Sequence, residues 1–226
     1  MERSVLVTGG AGGLGGAVLE VLRDQDWRVV APVRGGSAGR LPEGVVPVEA
    51  DLNDPGEVAA AVETATADPA APLRAVVNLA GGYAGGGLVH ETPIDDFEAI
   101  LRANLRPTYL VTAAALPRLV AAGGGSVVCV SSRAAVAPFA GAAGYATAKA
   151  AVLAFANAVA VEYKKSGVRC NTVLPSVIDT PTNRDGMPGD QSRWVDPADI
   201  AKVILFLAGD DSKPTSGATV PVYGQA

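Results

Sequence analysis

Thr8-Gly9-Gly10-Ala11-Gly12-Gly13-Leu14-Gly15 is the stretch on which the reading of this chain turns. It follows a short apolar run, Ser4–Thr8, that reads as a strand. It opens into Gly13–Asp24, whose apolar spacing reads as a helix. Glycines without side chains let the backbone approach a pyrophosphate, and the helix behind them offers free N–H groups and the positive end of its dipole. Two registers fit: Gly10, Gly12 and Gly15 match GxGxxG, and Gly9, Gly13 and Gly15 match TGxxxGxG. The competing reading is a glycine-rich turn that binds nothing, and the strand–turn–helix setting weighs against it.

Outward from the turn, short β-branched runs alternate with Ala-rich helical patterns. Arg28–Val33, Val45–Glu49, Ala75–Leu79, Ser126–Ser131, Val168–Leu174 and Thr219–Tyr223 read as further strands. Helices are expected near 55–67, at Ile94–Val120 with a bend near Pro107, at Gly144–Lys165 and at Asp196–Ala208. In the last, Asp196 is the N-cap and Pro197 takes the first helical position. This alternation predicts an α/β fold: one Rossmann-type, doubly wound parallel sheet of about seven strands with helices on both faces. No linker divides residues 1–226, so a single domain is expected. Residues 179–195 show no period and read as a loop over the site.

With 49% hydrophobic and 18% charged residues, the 226-residue chain can bury a large core. Its net charge of −5, with scattered cations, argues against nucleic acid or an anionic membrane as partner. Val5, Leu6 and Val7 are too short a run for a signal peptide, and no stretch is read as the roughly 20 apolar residues of a membrane span. The expected location is the cytoplasm. Cys129 and Cys170 lie in apolar runs and read as buried free thiols. His90 is the sole histidine and reads as an exposed loop residue; no metal site is expected.

Tyr145-Ala146-Thr147-Ala148-Lys149 sets a phenol and an ammonium at i and i+4, on one helix face. A tyrosine is a poor base at neutral pH unless a nearby positive charge favours the phenolate. The spacing alone is common on solvated helices, but its neighbours change the weight. Ser132 falls just past the fifth strand, at the sheet edge where cofactor crevices form. Asn78-Leu79-Ala80-Gly81 ends the fourth strand at that edge, and Asn104 lies in the helix beyond it.

At these residues the chain resembles the short-chain dehydrogenase/reductase family over nearly its full length. Thr8–Gly15 is similar to that family's cofactor turn, Asp51-Leu52 to its adenine-contacting pair and Asn78–Gly81 to its NNAG segment, with Leu79 replacing the second Asn. Asn104, Ser132, Tyr145 and Lys149 match its tetrad. Pro175–Thr180 resembles its PG-x-I-x-T segment, with Ser176 replacing Gly. The resemblance implies that Tyr145 is the general acid or base, that Lys149 binds nicotinamide ribose and lowers the tyrosine pKa, that Ser132 orients the substrate oxygen, and that Asn104 holds a water. It implies cofactor contacts at Gly9, Gly13, Leu14, Gly15, Arg34, Asp51, Leu52, Asn78, Ala80, Gly81, Tyr145, Lys149, Pro175, Ile178 and Thr180.

Val33 stands where an NAD-binding acid would end the second strand, and Arg34 follows where a guanidinium could pair with a 2′-phosphate. NADP(H) is therefore expected over NAD(H), with a small carbonyl or alcohol as substrate. The loops Gly81–Gly86 and Leu174–Trp194 resemble those of quinonoid dihydropteridine reductases, which is the alternative within the same chemistry. A non-catalytic dinucleotide-binding sensor is the alternative outside it. Met187 and Trp194 are candidate pocket residues, Trp194 equally a loop anchor. The helix from Gly144 is apolar almost all round, which predicts burial on two faces and a homo-oligomer, dimer or tetramer.

Overall fold

A computed structural model describes residues 2–187 and 190–225. Seven strands form one sheet: β1 (Arg3–Thr8), β2 (Trp27–Val33), β3 (Val46–Glu49), β4 (Leu73–Asn78), β5 (Gly125–Val130), β6 (Val168–Pro175) and β7 (Thr219–Val222). All neighbours pair in parallel, in the order β3-β2-β1-β4-β5-β6-β7. The chain builds outward from β1 to β3, then returns to β4 on the other side. The reversal leaves a crevice at the carboxyl ends of β1 and β4, where α/β sheets bind ligands.

Side chains alternate across the sheet with period 2. Val5, Val7, Val29, Ala31, Val77 and Val128 face one core, with α1 (Gly15–Arg23) and α6 (Pro197–Ala208) packed over them. Leu6, Val30, Val76, Val127, Cys129 and Cys170 face the other, under α2 (Pro55–Thr66), α3 (Ile94–Ala121) and α4 (Ala143–Glu162). Both thiols are free and buried.

Helix starts follow side-chain chemistry. Asp54 accepts from the N–H groups of Gly56 and Glu57 ahead of α2, and Asp196 accepts from Ala198 N at 2.8 Å ahead of α6, each followed by proline. α3 includes both Pro107 and Pro117. Three expectations change. α1 begins at Gly15, so Gly13 and Leu14 belong to the turn. Within the 179–195 segment, α5 (Pro181–Gly186) forms behind Thr180, which accepts from Asn183 N at 3.3 Å; Pro188 and Gly189 of that segment lie outside the described residues. Finally, α4 is long and apolar enough to cross a membrane by length and composition. Here it packs on α3 and the sheet with Val152, Ala156 and Val159 buried, so one face fills a core while Val161 on another stays exposed.

Candidate active site

The glycine turn is stitched to the end of β4. Thr8 Oγ1 accepts from Leu79 N and Ala80 N, each at 3.2 Å. Gly9 sits at φ +72°, and a Cβ there would stand 2.9 Å from Ala80 N. At Gly13 a Cβ would stand 2.7 Å from Thr180 Cγ2, so the Pro175–Thr180 segment closes over the turn. A Cβ on Gly15 would run into the carbonyl oxygens of Gly9 and Gly10. Leu14 precedes α1 without a side-chain cap, and no acidic residue occupies the first turn. The positive end of α1 therefore faces a glycine-rich turn with no carboxylate beside it, which suits a diphosphate.

Across the crevice, α4 and the end of β5 bring Ser132, Tyr145 and Lys149 together. Ser132 stands close enough to the Tyr145 phenol to favour its phenolate, and its Oγ accepts from Ala134 N at 3.2 Å. Lys149, one turn along, is 6% exposed. Its Nζ donates to Val130 O at 3.1 Å and lies 5.8 Å from the Tyr145 ring centroid. Ser131 Oγ donates to Lys149 O at 2.7 Å, tying helix to strand. Asn104, fully buried in α3, donates to Ile100 O at 2.9 Å and Gly82 O at 3.0 Å and accepts from Gly82 N at 3.2 Å. Gly81, at φ +153°, brings these groups to one place: a Cβ there would be 2.5 Å from Asn104 Oδ1 and 3.3 Å from Lys149 Nζ.

Burial pushes the Tyr145 phenol above its usual range, with Ser132 opposing and Tyr83 adding to the rise. Burial likewise brings the Lys149 ammonium down to about 8. Tyr83, unremarked as a site residue in the sequence, stands edge-on to Tyr145 at 5.2 Å and 6.2 Å from Phe139. Both outer rings are more than half exposed, an aromatic lip beside the phenol.

Other expected residues divide. Asn78 is buried behind the crevice, its amide donating to Thr112 Oγ1 at 3.0 Å. The Ile178 carbonyl is taken by Thr180 N at 2.9 Å and Asn183 Nδ2 at 2.8 Å, leaving its N–H for a ligand. Pro175 ends β6 beside it. Met187 is exposed; Trp194 precedes Val195, which bridges to Ile178, a position that anchors the loop. His90 is exposed and stands 3.8 Å from a Glu91 oxygen.

Beyond the carboxyl ends of β2 and β3, a cavity of about 290 Å³ is lined by Arg34, Gly35, Glu49, Ala50, Asp51, Asn53 and Glu57. Asp51 Oδ1 accepts from the backbone N and Nδ2 of Asn53, both at 3.0 Å, which hold its carboxyl below the usual range. Leu52 packs instead against the core under α2 and α3. Glu49 escaped the sequence reading. Its signal was an acid ending the third strand in register with Val33 at the end of the second.

The family profile described as short chain dehydrogenase matches residues 3–190. The chain is 34% identical over 195 residues to the 2-(R)-hydroxypropyl-CoM dehydrogenase of Xanthobacter autotrophicus, covering 80% of this chain and 77% of that one. Among solved structures, a short-chain type dehydrogenase/reductase from Mycobacterium ulcerans superposes with a TM-score of 0.92 at 27% identity, over 100% of this chain and 90% of that one. ElxO with NADP bound superposes at 0.90 and 26% identity, over 99% and 98%.

Proposed function

The chain belongs to the short-chain dehydrogenase/reductase family, and on that premise we propose which of its residues carry the reaction. It is an NAD(P)(H)-dependent oxidoreductase acting on an alcohol or carbonyl group. The nicotinamide, when bound, supplies or accepts the hydride. Tyr145 delivers a proton to the carbonyl oxygen in reduction and removes it in oxidation. Ser132 donates to the same oxygen and holds the phenol in place. Lys149 binds the nicotinamide ribose, and Asn104 anchors the Gly81-Gly82 backbone beside it. The Ile178 N–H and the Thr180 side chain receive the carboxamide. Gly9, Gly13, Leu14 and Gly15 cradle the diphosphate, with Ala80 and Gly81 as the facing wall, while Asp51 meets the adenine. The observation that supports this most is the buried Lys149 ammonium, held by Val130 O and 5.8 Å from the Tyr145 ring, with Ser132 beside the phenol.

NADPH is the favoured cofactor in this reading, through Arg34 and the uncharged Val33. The substrate approaches along Tyr83 and Phe139, whose exposed rings suit an apolar carbonyl compound. Tyr109 on α3 and Val161 on α4 are 53% and 77% exposed, supporting a homo-oligomer, dimer or tetramer, that covers them. Two free buried thiols suit the cytoplasm. The test follows NADPH absorbance with a panel of ketones, 3-oxoacyl thioesters and quinonoid dihydropterin. Turnover of one class supports an enzyme of that specificity; nucleotide binding without turnover across the panel supports a sensor.

A further inference from the structure

β2 ends in Val33, which offers no acceptor to the hydroxyls of an adenosine ribose. The neighbouring strand carries one to the same edge. Val33 pairs with Glu49 across the parallel β2–β3 ladder. A Cβ on Gly35 would stand 2.7 Å from Glu49 Oε1, so the carboxylate lies against the loop that presents Arg34. Both residues line the same cavity. Its other two carboxylates are engaged: Asp51 accepts from Asn53, and Glu57 accepts from Asp51 N at 2.5 Å. Glu49 is exposed and makes no hydrogen bond or ion pair among the described residues.

We infer that Glu49 is a second determinant of cofactor choice, acting against Arg34. The inference rests on the reading of this site as an NAD(P) site. A free carboxylate accepts hydrogen bonds from ribose hydroxyls, as the acid at the end of a second strand does in NAD-binding sites. A 2′-phosphate has no hydroxyl to donate and brings roughly −1.5 to −2 charges toward the carboxylate. Arg34 attracts that phosphate and Glu49 repels it, so Glu49 narrows the NADPH preference that Arg34 sets. The acid absent from β2 is thus delivered from β3.

Direct binding separates the two forces without any substrate. Kd for NADPH and for NADH is measured by nucleotide fluorescence on the wild type, Glu49→Gln, Glu49→Ala and Arg34→Ala. Glu49→Gln keeps an acceptor and removes the charge, so NADPH should tighten about fivefold, more at low salt than at high, with NADH changed less than about twofold. Glu49→Ala removes the acceptor too, and NADH should also weaken several-fold. If both Glu49 variants leave both nucleotides within about twofold of wild type while Arg34→Ala weakens NADPH, the assignment of Glu49 is wrong and that of Arg34 stands. If the wild type binds neither nucleotide, the reading of the site falls with it.

Discussion

Lys149→Met should make the protein more stable while removing its activity. The ammonium is 6% exposed and among the described residues pairs with a carbonyl alone, Val130 O, at 3.1 Å. Burial brings its pKa down to about 8 from an ordinary 10.5. At ~1.4 kcal/mol per tenfold in the proton equilibrium, that corresponds to about 3 kcal/mol of unfavourable charge burial at neutral pH. Methionine has a similar reach and no charge. It forfeits the hydrogen bond, which costs about 1 kcal/mol, so a net gain of about 2 kcal/mol is expected. For a chain this size that raises Tm by roughly 4–8 °C. The pH dependence carries the sign. Between about 8 and 10.5 the unfolded lysine binds more protons than the folded one, so wild-type stability rises with pH there. Below 8 the full cost persists. The variant lacks this slope, and its advantage should shrink from neutral pH toward pH 9.5. The assay is urea denaturation at matched protein concentration across that range. A variant less stable than wild type at neutral pH, or an advantage that does not shrink on raising the pH, would refute the reasoning.

Ser132→Ala should lower kcat/KM for a ketone by roughly 10²-fold with nucleotide Kd unchanged; equal effects on Kd and kcat/KM would place the serine elsewhere. Arg34→Ala should weaken NADPH by about tenfold and NADH little, and Val33→Asp should move the preference toward NADH; steady-state kinetics with both nucleotides decide it, and equal losses for both would remove Arg34 from its role. Because burial raises the Tyr145 phenol above its usual range, the acid form persists through pH 9. Tyr145 itself should leave reduction flat over pH 7–9 while alcohol oxidation climbs, so any fall in reduction there should centre near pH 8, where the Lys149 ammonium is lost; a fall centred elsewhere would show a different group donating the proton.

The fold was legible because its signals are local. Val5-Leu6-Val7 and the other short β-branched runs mark strands covered on both faces, and Asp54-Pro55 and Asp196-Pro197 announce helix starts within three residues. The Gly9–Gly15 turn and the Tyr145–Lys149 spacing are equally local. What stayed hidden depends on tertiary contact. The period of α3 does not say whether Pro107 kinks it, because packing decides. α5 is too short to show a period, and Thr180, the Asn183–Ile178 bond and the Arg184–Asp179 pair fix it. Glu49 shares the Arg34 cavity only because two strands pair in register. The rise in the Tyr145 pKa comes from burial, which the YxxxK pattern does not encode.

The central assignment is the proton carried by Tyr145, and Tyr145→Phe tests it most directly. The variant keeps the ring, its edge-on contact with Tyr83 at 5.2 Å and every other group of the site, and loses only the hydroxyl. Nucleotide Kd by fluorescence and kcat for ketone reduction, measured on one preparation, give the answer. The account predicts a Kd within about threefold of wild type and a kcat lowered by 10²-fold to 10⁴-fold, roughly the range of a lost general acid. A variant that keeps more than about a tenth of wild-type kcat, well above what that loss allows, contradicts it.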